Sequence, residues 1–158
     1  MTDEDPLIHP HTLLTAPDGQ QVNIDVAMVP VIKALWEMGM TTTACCQNVG
    51  EATAAVRDRK GVEGGYRGED FIAYHMDWAL VKMPRVDAVR LIDLLTRVPT
   101  FKEFIQQRWT ATSWRMNVPL IHEEGKITLA EDALLHFPSE QIPALAQVLA
   151  GINREETY

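Results

Sequence analysis

An internal echo constrains this chain more than any other feature. Ala79-Leu80-Val81-Lys82-Met83-Pro84 precedes a segment carrying Leu91 and Leu95, and Ala133-Leu134-Leu135-His136-Phe137-Pro138 precedes one carrying Leu145 and Leu149. The pairs fall at one constant offset. Each copy reads as a short apolar strand, a proline that cannot continue the ladder, and an amphipathic helix with a 3.6-residue stripe. Either the fold has pseudo-symmetry or two similar strand-Pro-helix units arose independently. Both alternatives predict the same class: a single α+β domain over residues 1–158, with a largely antiparallel sheet and helices packed mainly on one face.

A third unit runs from Ile24 to Asn48. Asp25 is a candidate N-cap, and Ala27, Met28, Val31, Ile32 and Leu35 share a helical face. Pro30 belongs near the start of that helix, because deeper in it would remove a backbone donor. Gly39 is placed to end it. Thr41, Thr42 and Thr43 favour an extended chain that leads to Cys45-Cys46-Gln47-Asn48 at a strand end.

The remaining segments read more coarsely. Residues 1–11 are a polar lead-in, and His9 and His11, beside Pro10, are expected to be solvated. Thr12 to Ile24 reads as a hairpin around Ala16-Pro17-Asp18-Gly19. Glu51 to Arg59 suits two helical turns, and residues 60–70 suit a flexible Gly-rich loop. Phe71 to Met83 alternates like a strand, with a bulge near Trp78 to Leu80. A helix is expected from Arg85 to Val98, with Ile92 among its buried residues. Thr100 and Glu103 fit a capping box for a helix from Phe101 to Arg108. Trp109 to Ile121 reads as a strand region with Trp114, Met116 and Val118 on one face, and His122 to Lys126 as a turn. Gly151 is the expected stop of the last helix, before a polar tail over residues 152–158.

Composition bounds the function. An apolar fraction of 46% suits a globular chain. No apolar run is long enough to span a bilayer, and the acidic start lacks a signal-peptide layout, which predicts a cytoplasmic protein. A net charge of −8 opposes general nucleic-acid binding. Adjacent Cys45 and Cys46 are poorly placed to bond to each other.

Cys46 is the first candidate for chemistry. Followed by Gln47 and Asn48, it suits a nucleophile with amides for an oxyanion, and His75 or His122 is the candidate base. The alternative is a small soft side chain in a core strand. No basic residue neighbours Cys46 in sequence, so an ordinary or buried thiol is expected. No Cys-x-x-Cys or His-x-x-x-His spacing supports a metal, and neither a metal nor a cofactor is expected. The second candidate is Arg108-Trp109 with Trp114-Arg115, residue types that stack on bases, pair with phosphates and populate protein interfaces. The alternative, and the leading reading for Trp114, is that both tryptophans are core residues of a sheet and both arginines are solvated. A lid reading adds Tyr66 and Arg67 over a pocket beside Cys46.

The spacing of Ile24-Asp25, Leu35-Trp36, Gly39, Thr41-Thr42 and Cys46-Gln47 resembles small uncharacterised proteins of actinobacteria and their phages. In those, a helix ending in Leu-Trp and Gly is followed by Thr and a Ser-Cys-Gln-Gly stretch. Phe137-Pro138 with Ile142-Pro143 looks similar too. This chain has Ala44-Cys45 before Cys46, and Asn48 where the pattern has Gly. The resemblance implies a phage-type accessory protein of the host cytoplasm. The leading expectation is binding to a host protein or to a small ligand of nucleotide type. The candidate surface is Cys46, Gln47, Asn48, Tyr66, Arg67, Trp109 and Arg115. The competing expectations are a thiol enzyme using Cys46 and a self-associating component of a larger assembly.

Overall fold

A computed structural model describes residues 9–60, 68–106, 110 and 112–155. Strands β1 (His11–Thr15) and β2 (Gln21–Asp25) form an antiparallel hairpin around Pro17-Asp18-Gly19, where Asp18 Oδ1 accepts the Gln20 N–H at 2.9 Å. A 3₁₀ turn (Val26–Met28) leads into helix α1 (Val29–Glu37), with Pro30 in its first turn. At its end the Gly39 N–H reaches the Trp36 carbonyl at 2.9 Å, and the Met40 N–H reaches that of Leu35 at 3.0 Å. This pairing needs a left-handed residue, and Gly39 supplies it with φ +79°. Met40 then tucks into the core. Strand β3 (Ala44–Cys46), helices α2 (Val49–Lys60) and α3 (Glu69–His75), strand β4 (Trp78–Pro84) and helices α4 (Arg85–Leu95) and α5 (Pro99–Gln106) follow. The chain continues through β5 (Arg115–Asn117), β6 (Leu120–Glu123), β7 (Lys126–Leu129), β8 (Asp132–Pro138), a 3₁₀ turn (Ser139–Gln141) and α6 (Ile142–Glu155).

The echo becomes a local two-fold axis. The main sheet has the order β3-β4-β8-β5, with every pair antiparallel. Val81 lies opposite Leu135, its counterpart in the echo, while Ala79 faces Phe137 and Met83 faces Ala133. The flanking strands obey the same axis: Cys45 opposes Val81, and Met116 opposes Leu135. Each half is therefore helix, strand, strand, helix: α1-β3-β4-α4 and α5-β5-β8-α6. The first half carries α2 and α3 between its strands; the second carries the β6–β7 ribbon.

One sheet face makes the core. Ala79, Val81, Met83, Ala133, Leu135 and Phe137 are buried beneath Leu35 of α1, Leu91 and Leu95 of α4, Phe101 of α5, and Leu145 and Leu149 of α6. Each such fully buried large side chain contributes about 1.5–3 kcal/mol by leaving water. Helices α2 and α3 pack on each other at the opposite face, where the His75 ring meets that of His136, so the helices lie mainly, not wholly, on one side. Their contact explains Gly50: a Cβ there would stand 2.4 Å from Met76 Cα. Among the described residues, no helix is long and apolar enough to cross a membrane.

Several local expectations are corrected. Glu69–His75 is a helix, not the start of a long strand; Ile72 and His75, three residues apart, are its buried positions. The apparent bulge is a chain reversal at Asp77, whose φ is +64°. Helix α5 begins at Pro99, so Thr100 lies inside it rather than at a capping box. Helix α4 ends at Leu95, and Ile92 is half-buried at the rim. Within the expected strand region the described residues form two short strands, Arg115–Asn117 and Leu120–Glu123, with Met116 exposed. The turn of the second ribbon is only Glu124-Gly125, both left-handed, while His122 and Glu123 belong to β6. Gly151 lies within α6, which runs on to Glu155. The expected loop at 60–70 falls largely outside the described residues.

Candidate functional site

The ends of β2, β3, β4 and β8 converge around Gln47 and Asn48. Asn48 is buried and is the N-cap of α2: its Oδ1 accepts the Glu51 N–H at 3.1 Å. The same oxygen accepts the Asp77 N–H at 3.1 Å, and Asn48 Nδ2 donates to Asp77 Oδ1 at 3.1 Å. These bonds hold Asp77 in its left-handed conformation, which an unsupported aspartate rarely adopts. Ser139 closes the knot, its Oγ donating to the Gln47 carbonyl at 2.6 Å and its N–H to the Asp77 carbonyl at 2.8 Å. Asn48 is thus a structural fastener, and the Asn48-x-x-Glu51 spacing was its sequence signal.

Asp25 forms no cap with its side chain. Instead its Oδ2 accepts the Gln47 N–H at 2.8 Å and lies 3.1 Å from His9 Nδ1. His9 Nε2 lies 3.0 Å from Glu51 Oε1. His9, expected in solvent, is buried with a carboxylate at each ring nitrogen. Cys46 completes this group: donor atoms of His9, Asp25 and Cys46 all lie within 4.8 Å of one another.

The two thiols point to opposite faces of the sheet. Cys45 opposes Val81 and packs against the core, whereas Cys46 opposes Leu80. The Cys46 thiol is pushed up to about 11: burial raises it most, a backbone hydrogen bond from Asn48 lowers it, and the Asp25 and Glu51 carboxylates raise it. Burial and the Asp25 charge push Cys45 up to about 12. Both thiols are therefore protonated near neutral pH, and thiols in that form are weak nucleophiles. His9 has a donor atom within 4.8 Å of the Cys46 sulfur, and both its ring nitrogens face carboxylates. His75 points a ring nitrogen at the Phe71 carbonyl, 2.9 Å away, and packs its ring on His136. His122 sits on exposed β6.

The register places Cys46, Leu80, His136 and Arg115 in one row across that second face. Cys46 and Arg115 occupy its two ends, about 14 Å apart at three strand spacings. The Arg115 guanidinium lies between the rings of Tyr74 (3.7 Å) and Trp78 (3.6 Å) and donates to the Tyr74 carbonyl at 3.1 Å. Its flat faces are occupied by the protein's own aromatics, where a base was expected to stack. Trp114 is part of the core wall: it stacks on Phe137 at 4.7 Å and donates to Gln141 Oε1 at 2.7 Å. Tyr66, Arg67, Arg108 and Trp109 lie outside the described residues.

Two surface features were not anticipated. Where α1 packs directly on α6, the axis-related pair α4 and α5 leaves a cavity of about 240 Å³ lined by Val89, Ile92, Ile105, Trp114, Met116 and Leu135. The β6–β7 ribbon is the other. Leu120 pairs with Leu129 and His122 with Ile127, so these four share one face. Leu120, Ile127 and Leu129 are 59%, 62% and 51% exposed. Their alternation was legible as strand, but nothing in it distinguished a solvent-facing apolar row from a core-facing one. Comparison with protein-family models, curated proteins and solved structures found no match.

Proposed function

We propose that this protein acts by binding, as an accessory protein that docks on a partner protein through the apolar face of the β6–β7 ribbon. The observation that carries this reading is the outward row of Leu120, Ile127 and Leu129. A two-stranded ribbon is marginal on its own, and an exposed contiguous apolar face is costly to keep unless something covers it. The ribbon is also the insertion of the second half, as α2 and α3 are that of the first, and it lies outside the four-stranded sheet, where a function can be added without disturbing the core. The protonated thiols and the clamped His9 weigh against the thiol enzyme. The chain's net charge of −8 favours a basic partner.

Capture from an actinobacterial lysate tests this, with wild type beside Ile127→Glu and Cys46→Ser. The glutamate variant should lose a partner that the serine variant keeps. Self-association lost in Ile127→Glu would favour the assembly component instead. Heat of binding with nucleotides would favour the small-ligand reading. Neither partner nor ligand would sink the proposal.

A further inference from the structure

We infer that His9, Asp25 and Cys46 form a binding site for a divalent cation of the zinc class, with Glu51 holding the histidine ring from behind. The donors come from three separate places: the segment before β1, the end of β2 and the end of β3. Zinc bonds of about 2.0–2.3 Å put tetrahedral donors about 3.4–3.6 Å apart. His9 Nδ1 and Asp25 Oδ2 already stand 3.1 Å apart, and no donor pair exceeds 4.8 Å. Closure therefore shortens the widest separation by at most about 1.4 Å.

The chemistry of the set selects the cation. A thiol, an imidazole and a carboxylate suit zinc and disfavour magnesium or calcium, which take oxygen shells. Glu51 Oε1 at Nε2 leaves Nδ1 on the Asp25 side, the carboxylate–histidine–metal arrangement that orients ligating imidazoles. The Gln47 N–H fixes Asp25 in the same way. A histidine clasp requires two carboxylates and no sulfur, so Cys46 is what a metal shell adds. Cation entry releases the Cys46 thiol proton and the hydrogen between Nδ1 and Asp25 Oδ2 to solvent. Three protein donors leave the fourth position for water or an outside ligand.

The test is titration of the chelator-treated full chain with cobalt(II), followed by displacement with zinc. One equivalent should produce a sulfur-to-cobalt charge-transfer band that zinc abolishes. Cys45→Ser should retain the band, and Cys46→Ser should lose it. Glu51→Gln alters a half-exposed side chain and should leave the fold intact while weakening the metal by about 10–100-fold. No band in wild type would overturn the inference, as would a band that survives Cys46→Ser or an unchanged affinity in Glu51→Gln.

Discussion

Replacing Asn48 by Ala should destabilise the fold more than an ordinary helix cap would explain. Loss of the cap on Glu51 N–H costs about 0.5–2 kcal/mol. The same substitution strips the Asp77 N–H of its acceptor and Asp77 Oδ1 of its donor. A donor shielded from water and left unpaired costs about 1–3 kcal/mol, and the Asp77 N–H is part-buried. Water enters freely at the exposed Asp77 carboxylate, so that loss adds little. The sum is about 1.5–5 kcal/mol, against about 1 for a surface cap. Urea unfolding with linear extrapolation measures it, the slope staying at the wild-type value. Asn48→Asp keeps the acceptor but sets a second carboxylate against Asp77, and should be destabilised as well. An Asn48→Ala loss below about 0.5 kcal/mol would refute the fastening role, since that is the range of an unremarkable surface change.

Three further expectations follow from the same geometry. Leu95 is fully buried in α4, and Leu95→Ala should cost about 2–5 kcal/mol; an unchanged melting curve would contradict its place in the core. Burial, His75 and Arg115 hold His136 down from 6.5 to about 4. The unfolded chain therefore takes up a proton there that the folded one refuses, so stability falls as pH drops from about 6.5 to about 4. Wild type should lose more stability than His136→Gln across that window, and parallel curves would refute the assignment. Both thiols, pushed up to about 11 and 12, should alkylate more slowly near neutral pH in the folded protein than in urea; a folded-state rate above the unfolded one would reveal an activated cysteine.

The echo was legible because a local two-fold repeats both the pattern and its spacing, and Val81 and Leu135 meet across it. The helix at Val29–Glu37 was legible because Pro30 and Gly39 punctuate it at the backbone level. Helix α3 was not: Ile72, Tyr74 and Met76 alternate as in a strand, and the reversal uses left-handed Asp77 instead of a glycine. Its conformation depends on Asn48, 29 residues away, which no local window contains. His9 was misread for the same reason, since its partners Asp25 and Glu51 lie 16 and 42 residues along the chain. Trp114 was legible as a core residue of the sheet, and it stacks on Phe137; Arg115 was recognised as a stacking residue, but residue type alone could not say that its partners are internal. Cys46 was legible as a strand-end thiol; the burial, and after it the carboxylates, that keep it protonated are set by tertiary contacts.

The docking claim is tested most directly by a photo-crosslinking residue placed at Ile127, with Thr128 as control. The two positions are adjacent on β7, and their side chains point to opposite faces of the ribbon. Both are exposed, so neither substitution should disturb folding. The account predicts a crosslinked partner from position 127 and little or none from 128. Equal yields, or a crosslink from 128 alone, would contradict docking through the Leu120, Ile127 and Leu129 face.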